Sequence, residues 1–193
     1  MVVEPQVARR CVAAIAFAFA GACAAQPFTA EGSCREGLPH GNYELHDAKG
    51  KLRALGAFNR GKRTGSFIFW SSDGVRIAHL PFDEDVLSGT LATWYAGKAR
   101  EPQRKLEAVY SRGTPNGGKR SWYPNGRLRA EYRYERGELR EASATSLSGK
   151  ALDDAGAREL AQSDAAADDA FVASLLALVA AHPPRCEPSV DKA

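Results

Sequence analysis

Residues that build catalytic centres are scarce in this chain. Its 193 residues include only four histidines, four cysteines and one methionine. The histidines, at positions 40, 46, 79 and 182, form no cluster with cysteine or aspartate at metal-ligand spacing. No Gly-x-Ser-x-Gly, phosphate-cradling loop or dinucleotide fingerprint occurs. The run Asp83-Glu84-Asp85 could hold a cation weakly, and a solvated turn is the plainer reading. These gaps point away from an enzyme and give no reason to expect a cofactor or metal. Long apolar runs are missing too. Cys11–Ala22 and the uncharged Ala170–Ala181 have twelve residues each, short of the ~20 that a membrane-spanning helix needs.

The few cysteines are informative by position. Residues 1–25 read as an export signal: Arg9 and Arg10 supply the positive end, Cys11–Ala22 the apolar stretch, and Gly-Ala-Cys-Ala-Ala the small residues before a cut after Ala24 or Ala25. The arginine pair also invites a twin-arginine reading, which Cys11 and Val12 fit poorly. Ala20-Gly21-Ala22-Cys23 resembles a lipoprotein signal, in which Cys23 would be acylated and would anchor the protein to a membrane. Either way only Cys34 and Cys186 remain. In an oxidising envelope such a pair reads most simply as a disulfide, with two free thiols as the alternative. The expected location is therefore exported, periplasmic or secreted.

What is abundant is a repeated phrase. Residues 58–65 read FNRGKRTG, and the same grammar recurs at FDEDVLSG, YSRGTPNG and YERGELRE. Gly41, Gly65 and Gly89 are 24 residues apart, and Gly117 follows after 28. Five positions past each stand His46, Trp70, Trp94 and Trp122. Phe58, Phe82, Tyr110 and Tyr134 keep the same rhythm. A fixed period of this length marks a repeat architecture. Each unit reads as a hairpin, with turns at Ser72-Asp73-Gly74 and Pro124-Asn125-Gly126 between alternating runs. The recurring phrase then links one hairpin to the next. The expected fold is mainly β: four hairpin repeats over residues 34–141 in an open antiparallel meander or solenoid sheet.

GKRSWYPNGRLRAEYRYERGEL, with its glycines, Trp-Tyr pair and Asn-Gly turn, resembles the bacterial variant of the MORN repeat, found in YwqK-type proteins labelled antitoxins. Gly117, Trp122, Tyr123, Asn125, Gly126, Leu128, Tyr132, Tyr134 and Gly137 carry the likeness, which extends less fully over residues 37–141. It implies a stacked-hairpin fold and an interaction role. The third unit departs most, through an insertion in AGKAREPQRK. An antitoxin role, usually cytoplasmic, sits badly with export.

Beyond Gly149 the composition turns to Ala, Leu and Asp. LDDAGARELAQ reads as a short helix starting at Asp153 or Asp154, and DDAFVASLLALVAAH as a longer one with Asp168 and Asp169 in its first turn. Phe171, Leu175, Leu178 and Val179 share a face. The segment 150–182 is expected as a short helical cap on the sheet, stopped by Pro183-Pro184, with 183–193 as a tail; an amphipathic helix offered to a partner is the alternative. Residues 35–140 carry 20 Lys and Arg against 12 Asp and Glu, and residues 141–193 carry 4 against 9, so the two regions favour docking.

The remaining candidates lie on the repeat surface. Trp70, Trp94 and Trp122, with Tyr95 and Tyr123 beside two of them, would line up when hairpins stack, with Arg120, Arg127 and Arg129 interleaved. Either they pack against the helices or they form an exposed strip. The function expected first is a non-enzymatic module for protein–protein interaction or scaffolding in the bacterial envelope. The alternative is a binder of cell-wall glycan or anionic lipid through those aromatics and arginines. Nucleic acid is not expected as a partner of an exported chain.

Overall fold

Alternating apolar and polar residues, punctuated by two-residue turns that alternate with longer ones, build one antiparallel sheet. In a computed structural model, which describes residues 28–97 and 102–186, the strands are β1 (Thr29–Arg35), β2 (Leu38–His46), β3 (Leu52–Asn59), β4 (Lys62–Trp70), β5 (Arg76–Asp83), β6 (Val86–Leu87), β7 (Gly89–Trp94), β8 (Arg104–Ser111), β9 (Thr114–Trp122), β10 (Leu128–Glu135) and β11 (Glu138–Ala144). They pair in chain order, except that the short β6 adds only to β5, and β5 pairs directly with β7. β1 and β11 do not meet, so the sheet is open, as expected. The expected leader 1–25 with Cys23, part of the insertion (98–101) and the end of the tail (187–193) lie outside the described residues.

The recurring phrase is the turn between hairpins. Arg60-Gly61, Glu84-Asp85, Arg112-Gly113 and Arg136-Gly137 all have left-handed backbone, with φ between 47° and 85°. The repeat glycines sit a few residues further on, inside the strands. Gly41, Gly65 and Gly117 each fall in a bulge where three residues face one on the neighbouring strand. Gly65 has φ 66°, a conformation costly for a residue with a Cβ. At Gly89 the irregularity splits the strand into β6 and β7. Gly56 answers to packing instead: a Cβ there would meet the Phe67 ring at 2.5 Å.

One helix, α1 (Asp154–Ala181), follows. It replaces the short helix and longer helix read from the sequence, and it is 28 residues long rather than a short cap. Ala165-Ala166-Ala167 bridge the two segments with the best helix formers and no breaker. Asp168 and Asp169 are therefore mid-helix, and the cap is Asp153, whose side chain accepts from the Gly156 N–H at 2.8 Å. Twenty-eight residues at ~1.5 Å rise span ~42 Å, close to the ~43 Å of ten strands set side by side at ~4.8 Å. The helix uses that length to cross one face of the sheet. Ala157 and Ala161 pack with Ala130, Tyr132, Tyr134 and Ala144 near β11. Leu175 and Val179 join Tyr43, Leu45, Phe67, Phe69, Leu80 and Leu91 in a second cluster. At the far end the Tyr43 hydroxyl donates to the His182 carbonyl at 2.8 Å, and Cys186 is disulfide-bonded to Cys34 of β1. Among the described residues no helix is long and apolar enough to cross a membrane.

Three core phenols set an alkaline limit. Burial pushes Tyr43 up to about 12. Burial and the Asp169 and Asp168 carboxylates push Tyr110 up to about 12, and burial with Asp164 moves Tyr132 the same way. The folded state holds protons that the unfolded chain releases near pH ~10. Stability is then full below about pH 10 and falls as pH rises towards about 12. Thermal melts across this window should show a progressive fall, weakened in Tyr43→Phe. Ionisation of all six tyrosines near pH 10 in the still-folded protein, read at 295 nm, would contradict it.

Candidate functional site

A meander puts alternate turns on opposite rims of the sheet. One rim gathers the turns after β2, β4, β7, β9 and β11; the other gathers the turns between the hairpins. They differ in charge. The described parts of the first rim (residues 46–53, 70–77, 94–97, 102–105, 122–129 and 145–153) hold nine Lys and Arg against three Asp. The second rim (35–38, 59–63, 83–89, 111–115 and 135–140) holds seven against six. Glu84 and Asp85, part of the acidic run noted above, are occupied by Lys62 at 3.1 Å and Arg63 at 2.7 Å. Burial would raise the Asp85 carboxyl, but hydrogen bonds from the Arg63 backbone and side chain hold it below its usual range.

The first rim also carries all three tryptophans. Trp70, Trp94 and Trp122 end β4, β7 and β9 and pair in register with Arg76, Arg104 and Leu128. Alternation sets them opposite Phe69, Thr93 and Ser121, which are buried under the helix, and neither apolar cluster includes them. The row that the repeat spacing implies is present at the ends of these strands. It is not a bare aromatic strip. Trp94 is 8% exposed, covered by the Arg76 guanidinium at 4.0 Å and Arg104 at 5.7 Å from its ring centroid. Trp70 and Trp122 are half-buried. Arg104 is neutralised by Glu107, whereas Arg76 has no carboxylate partner among the described residues.

The two tyrosines tie one turn to the next. Tyr95 donates to the Trp122 carbonyl at 2.7 Å, and Tyr123 donates to the Thr145 carbonyl at 2.8 Å. Arg127 donates to the Leu147 carbonyl at 3.0 Å, holding the last turn. Two of the candidate arginines are otherwise engaged. Arg120 lies away from the rim and pairs with Glu131 at 2.8 Å. Arg129 turns to the helix and pairs with Asp164 at 2.6 Å. The rim cations left to face solvent include Lys49, Lys51, Arg76, Arg127 and Lys150.

A second polar feature supplies specific partners for the docking that the opposite charges favoured. Between the two apolar clusters, Lys119 meets Asp168 at 2.7 Å with 6% and 16% side-chain exposure. Beside it Asp164 accepts from Tyr132 at 3.0 Å as well as from Arg129. The acidic helix thus docks on the basic sheet through two ion pairs. The histidines are dispersed: His40 accepts from the Arg60 N–H, His46 faces Glu44, His79 bonds Ser66 and His182 bonds the Leu178 carbonyl. No group of three potential metal ligands exists among the described residues. No protein-family model matches the chain, and no curated protein matches it.

Proposed function

We propose that this is an exported, non-catalytic envelope module that seats its basic, tryptophan-bearing rim on an anionic envelope surface. The difference in charge between the two rims carries the reading, because the same sheet supplies a near-neutral rim for comparison. Lysine and arginine near an anionic surface each contribute about 1 kcal/mol, and tryptophan suits such boundaries. The Cys34–Cys186 disulfide is compatible with an oxidising compartment. The apparent leader and the likeness to MORN-variant repeats support an exported interaction module.

A protein partner is the second reading, and a different observation favours it. The helix covers one face of the sheet, and among the described residues no helix or second sheet lies against the other. A module resting on its rim would leave that face free for scaffolding.

Co-sedimentation of the mature oxidised protein with phosphatidylglycerol vesicles and with isolated sacculi tests the first reading. Lys49→Glu/Lys51→Glu/Arg127→Glu should weaken binding at least about tenfold, and salt should weaken it too. Arg60→Glu/Arg112→Glu on the other rim should leave it unchanged. Equal loss from both rims would reject the oriented reading. Binding to neither surface, with one envelope protein captured by crosslinking, would move the assignment to the uncovered face.

A further inference from the structure

A partly open cavity of about 170 Å³ lies where the helix crosses β8–β10. It has room for about five waters at ~30 Å³ each. Its lining carries two groups of each sign: Lys105 and Arg129 from the sheet, Asp164 and Asp168 from the helix, with Tyr95, Ser121 and Trp122 beside them. The ion pairs described above do not use up this lining. Both carboxylates are engaged through Oδ2, by Arg129 and Tyr132 on Asp164 and by Lys119 on Asp168. Their Oδ1 atoms accept no hydrogen bond from the described residues. Lys105 Nζ lies 5.5 Å from the Phe171 ring centroid and has no carboxylate partner among the described residues. Ser121 is 7% exposed, and its buried hydroxyl has no hydrogen-bond partner.

A buried hydroxyl without a partner costs about 1–3 kcal/mol, so its position needs an explanation. The unused groups are of two kinds. An ammonium and a hydroxyl can donate to a carboxylate, while two carboxylate oxygens can accept from an ammonium. A simple anion would leave the second kind idle and a simple cation the first. We propose that this cavity is a binding site for a small zwitterion of the α-amino acid class, its carboxylate held by Lys105 and Ser121 and its ammonium by Asp164 and Asp168. The site is separate from the rim and does not depend on the surface-binding reading.

Calorimetric titration of the oxidised protein with glycine and alanine, alongside acetate and methylammonium, tests it. Saturable binding of the amino acids is expected, with the singly charged probes at least about tenfold weaker, since a hydrogen bond to a charged group is worth about 1.5–3 kcal/mol. Ser121→Ala should melt at or above the parent temperature, because it removes an unpaired hydroxyl, yet bind alanine about tenfold more weakly. Lys105→Met should lose binding while staying folded. The proposal is overturned if neither amino acid saturates the protein by about 10 mM, far above a millimolar dissociation constant. It is equally overturned if acetate binds as well as alanine, or if Ser121→Ala binds unchanged.

Discussion

Asp168→Ala should cost about 3–5 kcal/mol, the usual loss when one partner of a buried ion pair is removed. The loss has little to do with α1 itself, since alanine is the better helix former. It comes from Lys119, whose ammonium is 6% exposed and would be left under the helix with no opposite charge. At ~2–4 °C per kcal/mol for a chain of this size, the melting temperature should fall by about 10 °C. The companion experiment is Lys119→Met/Asp168→Leu, which replaces the pair by apolar groups of similar reach and should recover most of the loss. If the double variant is no more stable than Asp168→Ala, the stranded ammonium is not the cause.

That pair also marks where sequence reading stops. The hairpins were legible because their signals are local: a glycine where φ is positive, an Asp-Gly or Asn-Gly turn, aromatics at period two. The interval from Gly41 to Gly117 located the turns and the tryptophan row without any knowledge of packing. Cys34 and Cys186 were legible by elimination. The helix boundary was not, because Asp168 and Asp169 have the look of a first turn when only neighbours along the chain are considered. Their partners, Lys119 for Asp168 and the Tyr110 environment for both, belong to strands some fifty residues away, and only the folded chain brings them together.

The site shows the same division. The register of Trp70, Trp94 and Trp122 followed from spacing, but the closing of Trp94 under Arg76 depends on which strands are neighbours. The charge contrast between the rims was within reach. Once a meander is accepted, alternate turns must share a rim, and counting Lys and Arg by turn rather than by segment separates nine against three from seven against six. Net charge over residues 35–140 averaged the two rims together and hid the difference. The cavity beside Ser121 had no such signal, since its members come from three strands, the connection after β7 and the helix.

Reduction of Cys34–Cys186 should produce the other large loss. The bond joins residues 152 apart, nearly the whole described fold, and the chain-entropy relation gives about 5 kcal/mol for a loop of that length. The topology makes the effect uneven. The bond ties β1, an edge strand paired on one side only, to the chain just beyond the end of α1. Without it that corner keeps the Tyr43–His182 hydrogen bond at 2.8 Å and the Phe28–His182 ring contact at 4.9 Å. These hold the end of the helix but close no loop in the unfolded chain. Cys34→Ser/Cys186→Ser should therefore fold, melt about 10–20 °C lower, and lose amide protection first in β1 and the last turns of α1, with the Phe67 core exchanging only on global unfolding. Uniform loss of protection would mean that the bond acts on the unfolded chain alone. An unchanged melting temperature, with thiol counts verifying that the parent was oxidised, would mean that the packing of α1 across the sheet closes the fold without it.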